Sequence, residues 1–344
     1  MNPQLKERLE KIETILDFSI PEKIDTIWQN ISFDTLPDGL TSEYLLELIK
    51  PGRELMKRGG KRWRPLLSIL SCELAGGKAE NVYPLIPLIE LCHTASLIHD
   101  DIEDNSDTRR GGKAIHLKYG IGEAINAGSW LYFHAANYVL NNRIDKEIQS
   151  IAGKFYFHNL ARLHLGQSMD IGWHSKEDYI PSQKEYIAMT NLKTGSLAKL
   201  AGEIGFIAAG KSESEIRAYG NLMIDFGIGF QILDDVKNIT RGNFGKDRGD
   251  DIVEGKKSLP VIIFIKENPS KKEKLKHLFK KAANEGINSH AVKEAIEMLL
   301  SSGAAAEAEK YAKEIVDTAL IKLQNTYTKN EAMNLILELF GNIL

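Results

Sequence analysis

Three carboxylates, Asp100, Asp101 and Asp104, stand at i, i+1 and i+4 in the stretch LIHDDIEDNSDTRRGG. At about 100° per residue, a helix places Asp104 about 40° from Asp100 and Asp101 within about 100° of both, so all three share one face. Like charges this close repel unless a cation sits among them. Hard divalent ions such as Mg2+ take carboxylate oxygens and fill their remaining positions with water and substrate phosphate. A solvated acidic helix end is the competing reading for one such cluster. That reading weakens because the device recurs 134 residues downstream, where GFQILDDVKN sets Asp234, Asp235 and Asn238 at the same spacing. The Asn238 amide can ligate through its oxygen but brings no charge, so the second wall is expected to hold metal less firmly. Two such helix ends facing each other would hold several Mg2+ ions and a polyphosphate, the metals neutralising phosphate charge.

Cations recur close to these acids. GGKRWRP places Lys61, Arg62 and Arg64 where Pro65 predicts the first position of a helix, and helix N-termini bind anions. Arg109 and Arg110 directly follow the first acids, and a guanidinium fork matches phosphate bidentately. Lys193, Lys246 and Lys256 lie in NLKTG, FGKDRGDD and EGKKSLP. Each alone reads as a solvated charge; their association with glycines and the two acidic walls makes them phosphate-binding candidates. His93, seven residues before Asp100, falls on the acidic face of the same helix. It is either a packed core histidine or a phosphate donor.

Helices must position all of these groups. Apolar residues recur with helical period over Glu43–Lys50, Arg64–Leu74, Tyr83–Asp101, Gly122–Leu140 and Lys146–Gln167. The same holds for Ser182–Ala209, Ser214–Asp235, Leu259–Lys266 and from Val292 to the C-terminus, and no convincing strand alternation appears. LLSILSCELA and IPLIELCHTASLIH are apolar on most of their circumference, which marks central helices wrapped by amphipathic ones. The expectation is an all-α protein, a large helical bundle forming a single domain over residues 1–344. Residues 1–50 would be peripheral helices, 59–260 would carry the motifs, and 275–344 would close the bundle. The polar run KENPSKKEK is the best place for a sub-boundary, its charges solvated.

Bulk composition narrows the class. A net charge of −3 argues against a broad nucleic-acid-binding surface. Two cysteines, Cys72 and Cys92, outside any CxxC pair give neither a disulfide framework nor a zinc spacing, which points to a reducing, cytoplasmic home. The N-terminus MNPQLKERLEKIETIL lacks the apolar core of a signal peptide, and no run reaches the roughly 20 apolar residues of a membrane span.

In order along the chain, GGKRWRP, the histidine before SLIHDD, DDIED with RRG, GQSMDIGW, KTGSLAKL, GFQILDD and GKDRGDDIVEGKKSLP resemble the trans-isoprenyl diphosphate synthase (polyprenyl synthetase) family. The resemblance runs from about Gly59 to Pro260. It implies an all-α fold around a deep central cavity with both aspartate motifs at its mouth. It also implies head-to-tail condensation of an allylic diphosphate with isopentenyl diphosphate, dependent on Mg2+ (about three ions with substrate bound). Carried onto this sequence, Asp100, Asp101, Asp104, Asp234 and Asp235 would ligate the metals on the allylic diphosphate. Arg109, Lys193, Lys246 and Lys256 would neutralise that leaving group, and Lys61, Arg64, His93 and Arg110 would bind isopentenyl diphosphate. Gln231 matches a glutamine beside the reacting allyl group, and a homodimer is implied. No residue reads as a dedicated base, and the departing diphosphate is a sufficient proton acceptor.

Two positions depart from the family pattern. Asn238 replaces the usual third aspartate, and Ser129, in NAGSW, stands where the family commonly has an aspartate. The competing classes fit less well. A terpene cyclase needs no isopentenyl diphosphate site, a head-to-head synthase would show DxxxD pairs, and a non-catalytic partner subunit usually lacks an aspartate motif or the paired arginines.

Product length should be set beneath Asp100, where successive turns present Ser96, Cys92 and Leu88 with Ala95 beside them. In the family a large aromatic at the fourth or fifth position before the first aspartate stops growth at the farnesyl length. Here those residues are small. Either they simply allow close helix packing, or they let the cavity run on to Leu88 and give a product of about twenty carbons or longer; farnesyl diphosphate is the shorter alternative. Tyr132 and Phe133 on the next helix are further candidates for the floor.

Overall fold

The computed structural model describes residues 2–343 except 142, 143, 175, 177 and 243–246, with side chains as far as residue 341. Helices account for nearly all regular structure, as the periodicity requires. They are α1 (Pro3–Ser19), α2 (Thr26–Phe33), α3 (Ser42–Lys57), α4 (Trp63–Leu74), α5 (Ile86–Glu103), α6 (Ile115–Tyr119), α7 (Ile121–Leu140) and α8 (Lys146–His174). After them come α9 (Gln183–Ala208), α10 (Glu213–Thr240), α11 (Asp250–Val253), α12 (Leu259–Glu267), α13 (Lys272–Glu285), α14 (His290–Ser301), α15 (Ala304–Thr326) and α16 (Glu331–Ile343). A two-residue antiparallel ladder, β1 (Thr108–Arg109) with β2 (Gly112–Lys113), interrupts them. Among the described residues no helix is long and apolar enough to cross a membrane.

The chain forms two compact units. Unit 1 contains Met1–Leu160, Leu197–Asn221 and Gln324–Ile343. Its central helix is α5, buried on nearly every side through Ile86, Ile89, Leu91, Ala95 and Ile98, as its all-round apolar sequence predicts. Helix α7 runs along α5, and Gly128 permits the approach: a Cβ built there would stand 2.6 Å from His99 Cε1. Helix α3 does not stop before Pro51 as sequence punctuation implies but continues to Lys57. A proline inside a helix costs one backbone hydrogen bond. Packing on α7 outweighs that loss, with Gly52 seated so that a built Cβ would lie 2.7 Å from Leu131. Helix α1 is not peripheral either. Ile12 and Leu16 on it, and Ile20 just after it, have no exposed surface, and it packs on α4 and α5.

Unit 2 contains Ala161–Ser196 and Leu222–Leu323. Its core includes Tyr186, Ile232, Leu259, Phe264, Leu275 and Leu299. The α8 and α9 backbones touch at Gly166, where a built Cβ would lie 2.3 Å from the Lys193 nitrogen. Gly229 plays the same part between α10 and α15, against Val316. The KENPSKKEK run spans the end of α12, a 3-10 turn and the first turn of α13, with both flanks inside unit 2. No boundary falls there, because Leu275 and Leu278 bury the inner face of α13 in the same core.

Candidate active site

The first acidic cluster ends α5. Asp100 and Asp101 lie in its last turn and Asp104 is its C-cap. A helix C-terminus carries partial negative charge, so carboxylates there are unfavourable by about 0.3–1 kcal/mol each and require a counter-ion. Arg109 supplies one. Its Nε stands 2.6 Å from Asp101 Oδ1 and its Nη2 3.3 Å from Asp100 Oδ2. Asp101 is fully buried and Asp104 nearly so.

Arg109 and Arg110 sit on the β1–β2 hairpin. Arg110 (φ 51°) and Gly111 (φ 75°) occupy its two-residue turn, both left-handed as a type I′ turn demands. The RG pair is therefore a turn signal that the helical reading of the sequence passed over. Arg58 pins this hairpin, Nη1 donating to the Arg109 carbonyl at 2.9 Å and the Lys113 carbonyl at 2.8 Å. Glu54 anchors Arg58 in turn at 2.6 Å. Burial acts to raise the Glu54 carboxyl, but hydrogen bonds from Lys118, Tyr119 and Arg58 outweigh it and hold it down at about 2. Sequence reasoning missed both residues.

Arg110 turns away from the acids. Its Nη1 donates to the Leu55 carbonyl at 3.2 Å, and its Nη2 lies 3.9 Å from Glu90. Arg64 Nη1 lies 3.4 Å from His93 Nε2, and Arg64 Cζ sits 4.4 Å from the centre of the Trp63 ring. Burial, then the charges of Arg64 and Arg110, push His93 well below the ordinary histidine range, so its ring is neutral. Helix α4 starts at Trp63, which puts Pro65 at its third position rather than its first. Its nitrogen is still one of the four with no intrahelical partner to lose. Lys61 is exposed just before this helix, whereas Arg62 is buried in ion pairs and offers nothing to a ligand.

The second cluster lies within the last two turns of α10. Asp235 Oδ2 accepts from the Tyr186 hydroxyl at 2.6 Å, and its Oδ1 accepts from Gln231 Nε2 at 2.9 Å. Gln231 Oε1 accepts from Thr194 at 2.8 Å, which draws the KTG motif into the same network. Burial and then the charge of Asp251, with a smaller push from Asp234, raise the Asp235 carboxyl to about 7. Lys193 donates to Asp170 of GQSMDIGW at 2.7 Å. Burial of Asp170 acts to raise its carboxyl, but the Lys193 ammonium and His174 carry it below the usual range. Lys256 pairs with Glu254 at 2.8 Å and lies 3.7 Å from Asp251. Lys246 lies outside the described residues.

Asn238, expected beside Asp234 and Asp235 as a ligand, already has a partner within the protein. It is fully buried, and its Oδ1 accepts from the Asp251 amide at 3.3 Å. It braces the turn that carries Asp251, so the second acid next to Asp235 comes from GDD rather than from the i+4 position. Asp251, Thr194 and Tyr186 were not singled out in the sequence, since nothing in their spacing reports a contact made through folding.

The donor sets fit Mg2+. They are hard carboxylate oxygens at helix ends, one cluster already bridged by a guanidinium and the other holding a carboxyl raised by burial and then by neighbouring charge. Among the described residues no three His, Cys, Asp or Glu side chains form a closed cage. That suits an ion that takes one or two carboxylates and completes its shell with water and phosphate.

Below Asp100 the partly accessible residues of α5 are His99, Leu97, Ser96 and His93, whereas Ala95 and Cys92 have no exposed surface and Leu88 almost none. The open stripe therefore ends at Ser96 and His93, above Cys92. Tyr132 is buried and stacks on His99 with ring centres 5.6 Å apart, while Phe133 is 69% exposed and cannot form a floor. Ser129 has a local partner. His99 Nδ1 donates to the Ala95 carbonyl at 3.0 Å, which leaves Nε2 to accept from Ser129 Oγ at 3.3 Å.

Known proteins share this arrangement of elements. The polyprenyl synthetase family model matches residues 46–299. A short chain isoprenyl diphosphate synthase of Methanocaldococcus jannaschii is 36% identical over 261 residues, 74% of this chain and 77% of the relative. A geranylgeranyl diphosphate synthase of Sulfolobus acidocaldarius is 33% identical over 279 residues, 79% and 83% of the two chains. The crystal structure of a geranylgeranyl pyrophosphate synthetase from Pyrococcus horikoshii superposes with a TM-score of 0.83 at 29% identity, covering 99% of this chain and 96% of that one. The family match takes in both carboxylate-bearing helix ends, and on that ground the chain belongs to the polyprenyl synthetase family.

Proposed function

We propose that this chain condenses an allylic diphosphate with isopentenyl diphosphate head to tail, releasing diphosphate and giving a trans-prenyl diphosphate of about twenty carbons or longer. The observation that carries the reading is the Arg109 guanidinium lying across Asp100 and Asp101 at the end of a buried helix. A metal-bound diphosphate would occupy that position and take Arg109 as one of its own donors.

Asp100, Asp101, Asp104, Asp234 and Asp235 hold Mg2+, which when bound neutralises the diphosphate and lowers the barrier to its departure. Arg109, Lys193, Lys246 and Lys256 donate to the same leaving group. Gln231, fixed between Thr194 and Asp235, lies beside the allyl carbon. Lys61, Arg64, neutral His93 and Arg110 orient isopentenyl diphosphate. The allylic C–O bond breaks, the isopentenyl double bond supplies the electrons of the new C–C bond, and a proton leaves to the departing diphosphate. Ser96 and Ala95 are small and Phe133 points outward, which supports growth beyond the farnesyl length. Ile121, Ile125, Phe133 and Leu140 of α7 are exposed, which supports a homodimer through this helix.

The test is to incubate the pure protein with Mg2+, labelled isopentenyl diphosphate and each allylic primer in turn, then size the dephosphorylated products. A ladder ending at about twenty carbons or more is expected. Silence with every primer would overturn the reading in favour of a non-catalytic partner subunit.

A further inference from the structure

The buried Arg62 side chain has three partners. Nη1 donates to Glu90 Oε1 at 2.6 Å, Nε to Glu13 Oε1 at 2.7 Å, and Nη2 to the Met56 carbonyl at 2.7 Å. Its backbone is left-handed (φ 47°), a strained conformation for a non-glycine residue that persists only where the surroundings impose it. Arg62 is also the N-cap of α4, so this strained residue separates Lys61 from Arg64 and sets where each points. Glu90 lies on α5 three residues before His93 and therefore on the same face of that helix. It is 2% exposed, and the oxygen that accepts from Arg62 is the one 3.9 Å from Arg110 Nη2. A single buried carboxylate thus serves two arginines, both with left-handed backbones. Arg62, Arg64, Arg109 and Arg110 all act electrostatically on His93, so a cluster of like charges this close needs a fixed negative charge to hold its members together.

We propose that Glu90 is a positioning residue for the isopentenyl diphosphate subsite: paired with Arg62 it fixes the start of α4 that presents Lys61 and Arg64, and it draws Arg110 toward the same place. This rests on the reading above that Lys61, Arg64, His93 and Arg110 bind that diphosphate. Glu13 makes α1 part of the strut, which ties the N-terminal helix to one substrate and not to the other.

The experiment is steady-state kinetics on the full chain, wild type against Glu90→Gln, varying each substrate at saturation of the other. Glu90→Gln keeps the shape and removes the charge. KM for isopentenyl diphosphate is expected to rise about 10-fold, with kcat and KM for the allylic primer within about twofold. An unchanged KM for isopentenyl diphosphate, or equal losses in kcat and both KM values, overturns the proposal. Glu13→Gln, at a partly exposed site, tests it with Glu90 itself left in place. A rise of about two- to threefold in the same KM is expected, and no rise counts against the proposal. A wild type silent with every primer would sink the underlying synthase reading, and this inference with it.

Discussion

Arg109 and Asp101 form a side-chain pair across the hairpin that follows α5, Nε to Oδ1 at 2.6 Å. The guanidinium lies against this fully buried carboxylate from the loop side. On the proposed assignment, removing either acid takes away a metal ligand and one of the two carboxylates that hold Arg109. Asp100→Ala or Asp101→Ala should lower turnover by at least about 10²-fold while circular dichroism keeps its helical signal. Activity retained in either variant would refute the metal-wall assignment.

Ser96 and Ala95 look interchangeable in the sequence but differ in the fold, since Ser96 is partly accessible and Ala95 has no exposed surface. Ser96→Phe should shorten the product with little effect on melting. Ala95→Phe should cost about 1–3 kcal/mol through overpacking at a site with no exposed surface. Chain-length analysis and denaturant titration of the two variants separate these effects. An unchanged product from Ser96→Phe would mean the growing chain does not pass that side chain.

Asn238→Asp would restore the family's usual third acid at a fully buried position already occupied in bracing Asp251. The added charge would stand near Asp235, itself raised to about 7 by burial and by Asp251. Stability should fall by about 1–3 kcal/mol, with no drop in the Mg2+ concentration giving half-maximal rate. A lower Mg2+ requirement would show instead that position 238 faces the metal.

His134 is 2% exposed, its Nε2 donates to the Ser19 carbonyl at 2.8 Å, and burial lowers its pKa to about 4 from an ordinary 6.5. Between those values the unfolded chain binds a proton that the folded chain refuses, so stability must fall as pH drops from 6.5 toward 4. The full effect is worth about 3 kcal/mol. Urea melts across this window should show a shallower pH slope in His134→Gln than in wild type, and identical slopes would count against the assignment.

The acidic pairs, the flanking cations and the helical architecture were legible in the sequence because each repeats a period or a spacing. Ends of elements were less so. Pro51 reads as a stop, yet contacts made by Gly52 with Leu131 carry α3 past it. The partner of Asn238 goes unseen for the same reason, because spacing puts its side chain on the acidic face but cannot report that the turn at Gly249–Asp251 folds back over it. Arg58, Glu90 and Tyr186 act through partners distant in sequence, which no local pattern records.

The turn at Arg110–Gly111 also joins two roles. Arg109 serves the acidic end of α5 and Arg110, its chain neighbour, serves the Glu90 side, so the two roles are one peptide unit apart. On the proposed assignment both diphosphates take a donor from this one turn, although the two side chains diverge, Arg109 to Asp100 and Asp101 and Arg110 to Leu55 and Glu90. A displacement of the turn would therefore disturb the anchors of both substrates together.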